Sequence, residues 1–126
     1  MGISVMITSG KGGTGKTSLT AGVASCLAAL GYRVLCIDLD IGLRNLDIAL
    51  AMADEAALPF TAVMRGETAV EQATPHSSQR QLYLLTAPVT ERIEAVDAAA
   101  FGTLLQQARQ IYDWVLIDAP AGLGRG

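Results

Sequence analysis

Residues 10–18 read Gly-Lys-Gly-Gly-Thr-Gly-Lys-Thr-Ser and stand between an apolar run, Ile3 to Ile7, and a stretch in which Leu19, Val23, Leu27 and Leu30 recur at helical spacing. Four glycines in a loop that closes a strand and opens a helix commit the chain to a strand–turn–helix unit, because glycine admits backbone conformations closed to other residues. Backbone N–H groups in such a loop are unobstructed by side chains and can converge on a polyphosphate, with the positive end of the following helix beneath the anion. Gly10, Lys11, Gly12, Gly13, Thr14, Gly15, Lys16, Thr17 and Ser18 are therefore the candidate nucleotide-binding residues. Basic composition sharpens the reading. Of nine Lys and Arg residues only two are lysines, Lys11 and Lys16, and both lie in this loop.

The rest of the chain repeats a strand–helix rhythm. Gly31 is placed to end the first helix in a left-handed cap, and Arg33 to Ile37 form a second, nearly continuous apolar strand that ends at Asp38. Continuous apolarity suits a strand covered on both faces. Between residues 40 and 58 no period emerges, and the Gly, Asn and Asp residues there suggest a long loop or mixed segment. Short helices are expected from about Pro59 to Met64 and near Thr68 to Ala73, then a polar loop around His76 and a strand at Leu82 to Leu85. Asp97 is the expected N-cap of a helix that buries Phe101, Leu104, Leu105 and Ala108 and reaches about Gln110. Trp114 to Ile117 make a last strand, terminating at Asp118. The predicted class is α/β, an open parallel sheet with ligands at the C-terminal strand edge, where Gly10, Asp38 and Asp118 all emerge.

Composition narrows the setting. With 126 residues and 51% hydrophobic content, one core and one domain are expected. A net charge of −3, with arginines scattered over positions 33, 44, 65, 80, 92, 109 and 125, leaves no basic stripe for nucleic acid. The longest uncharged stretch, Thr17 to Tyr32, is too short and too polar to span a bilayer, and no signal peptide precedes it, so a cytoplasmic protein is expected. Cys26 and Cys36 read as buried free thiols rather than a disulfide or a metal pair. His76 reads as a surface-loop residue without a catalytic role.

Two templates fit the loop. Gly10-x-Gly12-x-x-Gly15 with an acid about 20 residues on, Asp38, matches a dinucleotide fingerprint. Gly10-x-x-x-x-Gly15-Lys16-Thr17 matches a P-loop, in which the lysine reaches the β/γ-phosphates and the threonine hydroxyl ligates Mg²⁺. A dinucleotide site requires neither group. Asp118, at the end of a hydrophobic strand, supplies the second metal-side carboxylate that a P-loop enzyme uses, so the NTPase reading leads.

The loop resembles the deviant Walker A motif, Lys-Gly-Gly-x-Gly-Lys-[Thr/Ser], with Lys11 as its extra lysine. Proteins with that motif include MinD, ParA, flagellar-number regulators, iron–sulfur carriers and the nitrogenase iron protein. Asp38-Leu39-Asp40-Ile41-Gly42-Leu43-Arg44-Asn45-Leu46-Asp47 resembles the MinD-family switch I segment, and Asp118-Ala119-Pro120-Ala121-Gly122 the Walker B and switch II segment. The resemblance implies a P-loop NTPase-type fold, a mostly parallel sheet flanked by helices, present here as far as the Walker B strand: the N-terminal part of one domain, since members are considerably longer. It also implies an ATP-dependent dimerising switch that hydrolyses slowly and acts in division-site placement. Lys16 would bind phosphates, Thr17 the Mg²⁺, Asp118 the metal's water shell, and Lys11 the partner's phosphates across a homodimer. Asp40 would position the attacking water and stand near the metal. Asp38, Arg44 and Asn45 are open between a direct role and loop scaffolding. Implied partners are the septation inhibitor MinC and, in some bacteria, MinE. Peripheral contact with the inner face of the membrane would run through a C-terminal helix. The alternatives are a phosphate-binding half-domain without turnover and a related partition or flagellar-number ATPase.

Overall fold

The computed structural model describes residues 2–8, 16–39, 46–50, 52, 57–87 and 98–119. The chain order is β1 (Ile3–Ile7), α1 (Lys16–Ala29), β2 (Val34–Asp38), α2 (Leu46–Ala49), α3 (Phe60–Met64), a 3₁₀ turn (Val70–Gln72), β3 (Thr74–Pro75), β4 (Leu82–Leu85), α4 (Ala98–Ile111) and β5 (Trp114–Asp118). The strands form one sheet in the order β1-β5-β2-β4-β3. All neighbours are parallel except the two-residue β3, which runs antiparallel to β4. The sequence placed β3 in a polar loop. Its two residues carry no period, and only pairing with β4 makes them a strand. The expected helix near Thr68 to Ala73 shrinks to the 3₁₀ turn, and α2 forms inside the stretch without a period.

Side-chain alternation splits the sheet into two apolar layers. Val34 and Cys36 of β2, Leu82 and Leu84 of β4 and Leu116 of β5 pack with Ala21, Ala24 and Ala28 of α1 and with Leu46, Leu50 and Met52 around α2. Leu35, Ile37, Leu85, Val115 and Ile117 point the other way, onto Phe60 of α3 and Phe101, Leu104 and Ala108 of α4. Both faces of β2 are thus buried, which is why its sequence is apolar throughout. Phe60 meets Phe101 edge-on, with ring centroids 6.0 Å apart, and ties α3 to α4.

Helix α1 packs mainly through its small residues. Of its leucine stripe only Leu27 packs against the sheet cluster: Leu19 is 58% exposed, Val23 37% and Leu30 74%, while Ala24 is fully buried. Small residues allow the helix axis to approach the sheet closely, and helical spacing alone cannot tell two apolar faces apart. Cys26 shares the outward side and is exposed, correcting the expectation of two buried thiols; Cys36 is buried. The helix ends as predicted. Gly31 adopts φ 98°, its N–H donates to the Ala28 carbonyl at 3.0 Å and that of Tyr32 to Leu27 at 3.1 Å. This pair of bonds is a Schellman cap.

Candidate functional site

Three parallel strands deliver the site. Ile7 of β1 pairs in register with Asp118 of β5, and Asp118 pairs with Asp38 of β2. Alternation then fixes the side-chain directions: Asp38 follows Cys36 by two residues and Asp118 follows Leu116 by two, so both acids lie on the α1 face of the sheet. They sit at its C-terminal edge, where ligands bind in open parallel sheets. Backbone bonds continue the ladder just past the strands, from Leu39 N–H to the Asp118 carbonyl at 2.9 Å and from Ala119 N–H to the Ile7 carbonyl at 3.0 Å.

Thr17, second residue of α1, donates its hydroxyl to Asp118 Oδ2 at 3.0 Å across a separation of 101 residues. Asp118 is 1% exposed and Asp38 fully buried. Asp38 Oδ2 accepts the N–H of Leu46, the first residue of α2, at 3.2 Å. That bond bears on the role the sequence left open for Asp38, since its carboxylate anchors the element that follows the loop. Burial, with the Asp118 charge next, pushes the Cys36 thiol well above its usual range. Cys36 is therefore an inert wall of the site, not a nucleophile.

Of the sequence-predicted residues, Thr17, Ser18, Asp38 and Asp118 fall within the described structure, with Ser18 exposed in the first turn of α1. Gly10, Lys11, Gly12, Gly13, Thr14, Gly15, Asp40, Arg44 and Asn45 lie outside the described residues, as do the side chain of Lys16, the expected cap Asp97 and the segment beyond Ala119. A hydroxyl and a carboxylate within hydrogen-bond distance make a hard-oxygen pair suited to magnesium. Among the described residues no three His, Cys, Asp or Glu side chains gather as a metal cluster. The pair fits a cation that keeps most of its waters and takes further oxygens from a phosphate.

Residues 5–118 match the family model described as the CobQ/CobB/MinD/ParA nucleotide binding domain. The chain belongs to this family. Within the CobQ/CobB/MinD/ParA family it is 38% identical over its whole length to the septum site-determining protein MinD of Bacillus subtilis, covering 48% of that protein. A MinD chain from a MinC:MinD cell division complex of Aquifex aeolicus superposes with a TM-score of 0.82 and 36% identity, over 98% of this chain and 49% of that one. MinD of Pyrococcus horikoshii complexed with Mg-ADP gives a TM-score of 0.76 and 32% identity, over 96% and 51% of the two chains. The chain thus spans about half the length of the MinD relatives it matches. Among the described residues no helix is long and apolar enough to cross a membrane.

Proposed function

We propose that residues 1–126 are the N-terminal part of a single deviant Walker A ATPase domain of the MinD type, an ATP-dependent dimerising switch in division-site placement. The observation that carries the proposal is the bond from Thr17 to Asp118. It sets a helix-start hydroxyl against a strand-end carboxylate, the pairing that a P-loop uses for magnesium and that a dinucleotide site does not need. In this reading residues 10–18 wrap the phosphates, with Lys16 on the β/γ-phosphates. Thr17 ligates Mg²⁺, Asp118 orders its water shell, and Asp40 positions the attacking water. Magnesium, when bound, neutralises charge on the phosphate oxygens. Lys11 reaches the phosphates of a second subunit, so turnover requires a homodimer and is slow. Loss of the γ-phosphate then removes the contacts that hold the dimer. The similarity to a MinC-bound MinD supports MinC as a partner of the whole protein. MinE, in some bacteria, and peripheral contact with the inner face of the membrane complete the reading.

Thermal melting with Mg·ADP, Mg·ATP and NAD tests the site. At a ligand concentration about a hundredfold above Kd, stabilisation of about 2.7 kcal/mol is expected from either magnesium nucleotide and none from NAD. Lys16→Ala should abolish the effect, while Lys11→Ala should retain binding and lose dimer-dependent turnover. Protection by NAD alone, or equal and mild effects of the two substitutions, would refute the assignment. A second reading is a half-domain that binds nucleotide without turnover, favoured by the half-length match to the relatives. Magnesium-dependent hydrolysis by the 126-residue chain that disappears in Asp40→Ala would exclude it.

A further inference from the structure

His76 is half-buried, and its ring makes contacts on both edges. Nδ1 accepts the backbone N–H of Ser78 at 3.0 Å and of Gln79 at 2.9 Å. A nitrogen that accepts two N–H groups holds no proton, so the ring proton is on Nε2. Nε2 lies 2.8 Å from the backbone oxygen of Leu50 and therefore donates to it. The loop that carries His76 is itself fixed to the sheet, since His76 N–H donates to the Leu82 carbonyl of β4 at 2.8 Å.

Leu50 directly follows α2, a helix of four residues. One turn cannot hold itself in water, because nucleation fixes several residues for a single bond. Its position depends on outside contacts. Leu46 and Leu50 are buried against α1 and the sheet, the Leu46 N–H is taken by Asp38 at the candidate site, and the Leu50 carbonyl is taken by His76. We propose that His76 is a positioning residue for α2, clasping its C-terminal end while Asp38 holds its N-terminal end. Asp40 lies in sequence between Asp38 and Leu46, so a change at the clasp is expected to be read in turnover. This last consequence rests on the role proposed above for Asp40.

Two near-isosteres separate the clasp from the loop's own fold. In His76→Asn the side-chain oxygen replaces Nδ1 and keeps the bonds to Ser78 and Gln79, but nothing reaches Leu50. In His76→Gln the terminal amide replaces Nε2 and restores the Leu50 bond. Amide hydrogen exchange is read on the 126-residue chain with and without Mg·ADP, alongside turnover of Mg·ATP. The expected result is exchange at Leu46 and Leu50 faster by roughly three- to tenfold, the worth of one hydrogen bond, in His76→Ala and His76→Asn. His76→Gln should return it toward wild type, and His76→Asn should keep Ser78 and Gln79 protected. Mg·ADP affinity should stay within about twofold while turnover falls as exchange rises, the mark of a held segment rather than a damaged fold. Wild-type exchange at Leu46 and Leu50 in His76→Asn, or no recovery in His76→Gln, would overturn the proposal. Failure of wild-type chain to bind Mg·ADP would instead refute the nucleotide reading and leave the exchange comparison to decide the clasp alone.

Discussion

Thr17 and Asp118 hold the site together from opposite ends of the chain, and their bond defines the first expectation. Thr17→Val removes a hydroxyl from a nearly fully buried carboxylate and should cost about 1–3 kcal/mol of folding stability. Thr17→Ser should restore both stability and the magnesium dependence of nucleotide protection, read by urea melts with and without the metal. Tyr112 is a second such residue, at the other end of the sheet. Its hydroxyl donates to the Val70 carbonyl at 3.0 Å in a buried setting. Burial pushes the phenol from 10.0 up to about 12, partly opposed by the Arg33 guanidinium that lies 5.1 Å from its ring centre. Because the value is raised in the folded state, the stability it contributes is complete below the unfolded value and is lost as pH rises through the folded one. Tyr112→Phe should cost about 1 kcal/mol at neutral pH. Between pH 10.0 and about pH 12 it should lose less stability than wild type in urea melts, since it has no phenol to ionise.

At the scale of elements, α1 shows why helical spacing does not say which face of a helix packs. Its predicted extent and Gly31 cap both hold, because spacing and capping are local properties. Which stripe packs is set by how near the helix approaches the sheet, and alanines permit the closer approach. Leu19→Gln should therefore change stability by no more than about 0.5 kcal/mol, whereas Ala24→Leu should cost about 1–3 kcal/mol by overfilling the contact with β2 and β4. Thermal melts of the two variants check the ranking, which a packed leucine face would reverse. Helix α4 shows the easier case: Phe101, Leu104 and Ala108 are buried as expected, and Leu105 packs partly against the same cluster. Its outer side is polar, so period and burial agree. The candidate site was legible at Thr17 and Asp118 because strand ends and helix starts are marked in the sequence. The anchoring of Leu46 by Asp38 was not, since a bond from a side chain to a backbone N–H leaves no residue-type signature at the donor.

At the scale of the whole molecule, β1 stands at one end of the sheet order among the described residues and keeps much apolar surface, with Ile3 53%, Val5 37% and Met6 44% exposed. Arg109 of α4 reaches over it to donate to the Ser4 hydroxyl at 3.2 Å, but neither helix covers the strand fully. An apolar strand at a sheet edge invites pairing with another chain. Concentration-dependent association is expected by light scattering, and Ile3→Lys should lower it while changing stability by no more than about 0.5 kcal/mol. The sequence by itself determined the α/β class, the four main strands and the two long helices, because periodicity and caps are written over short distances. Tertiary structure alone decided the β1-β5-β2-β4-β3 order, the packed side of α1, the pairing of β3 and the clasp of α2 by His76. Each of these depends on contacts between residues far apart in the chain, whose relative placement no local pattern encodes.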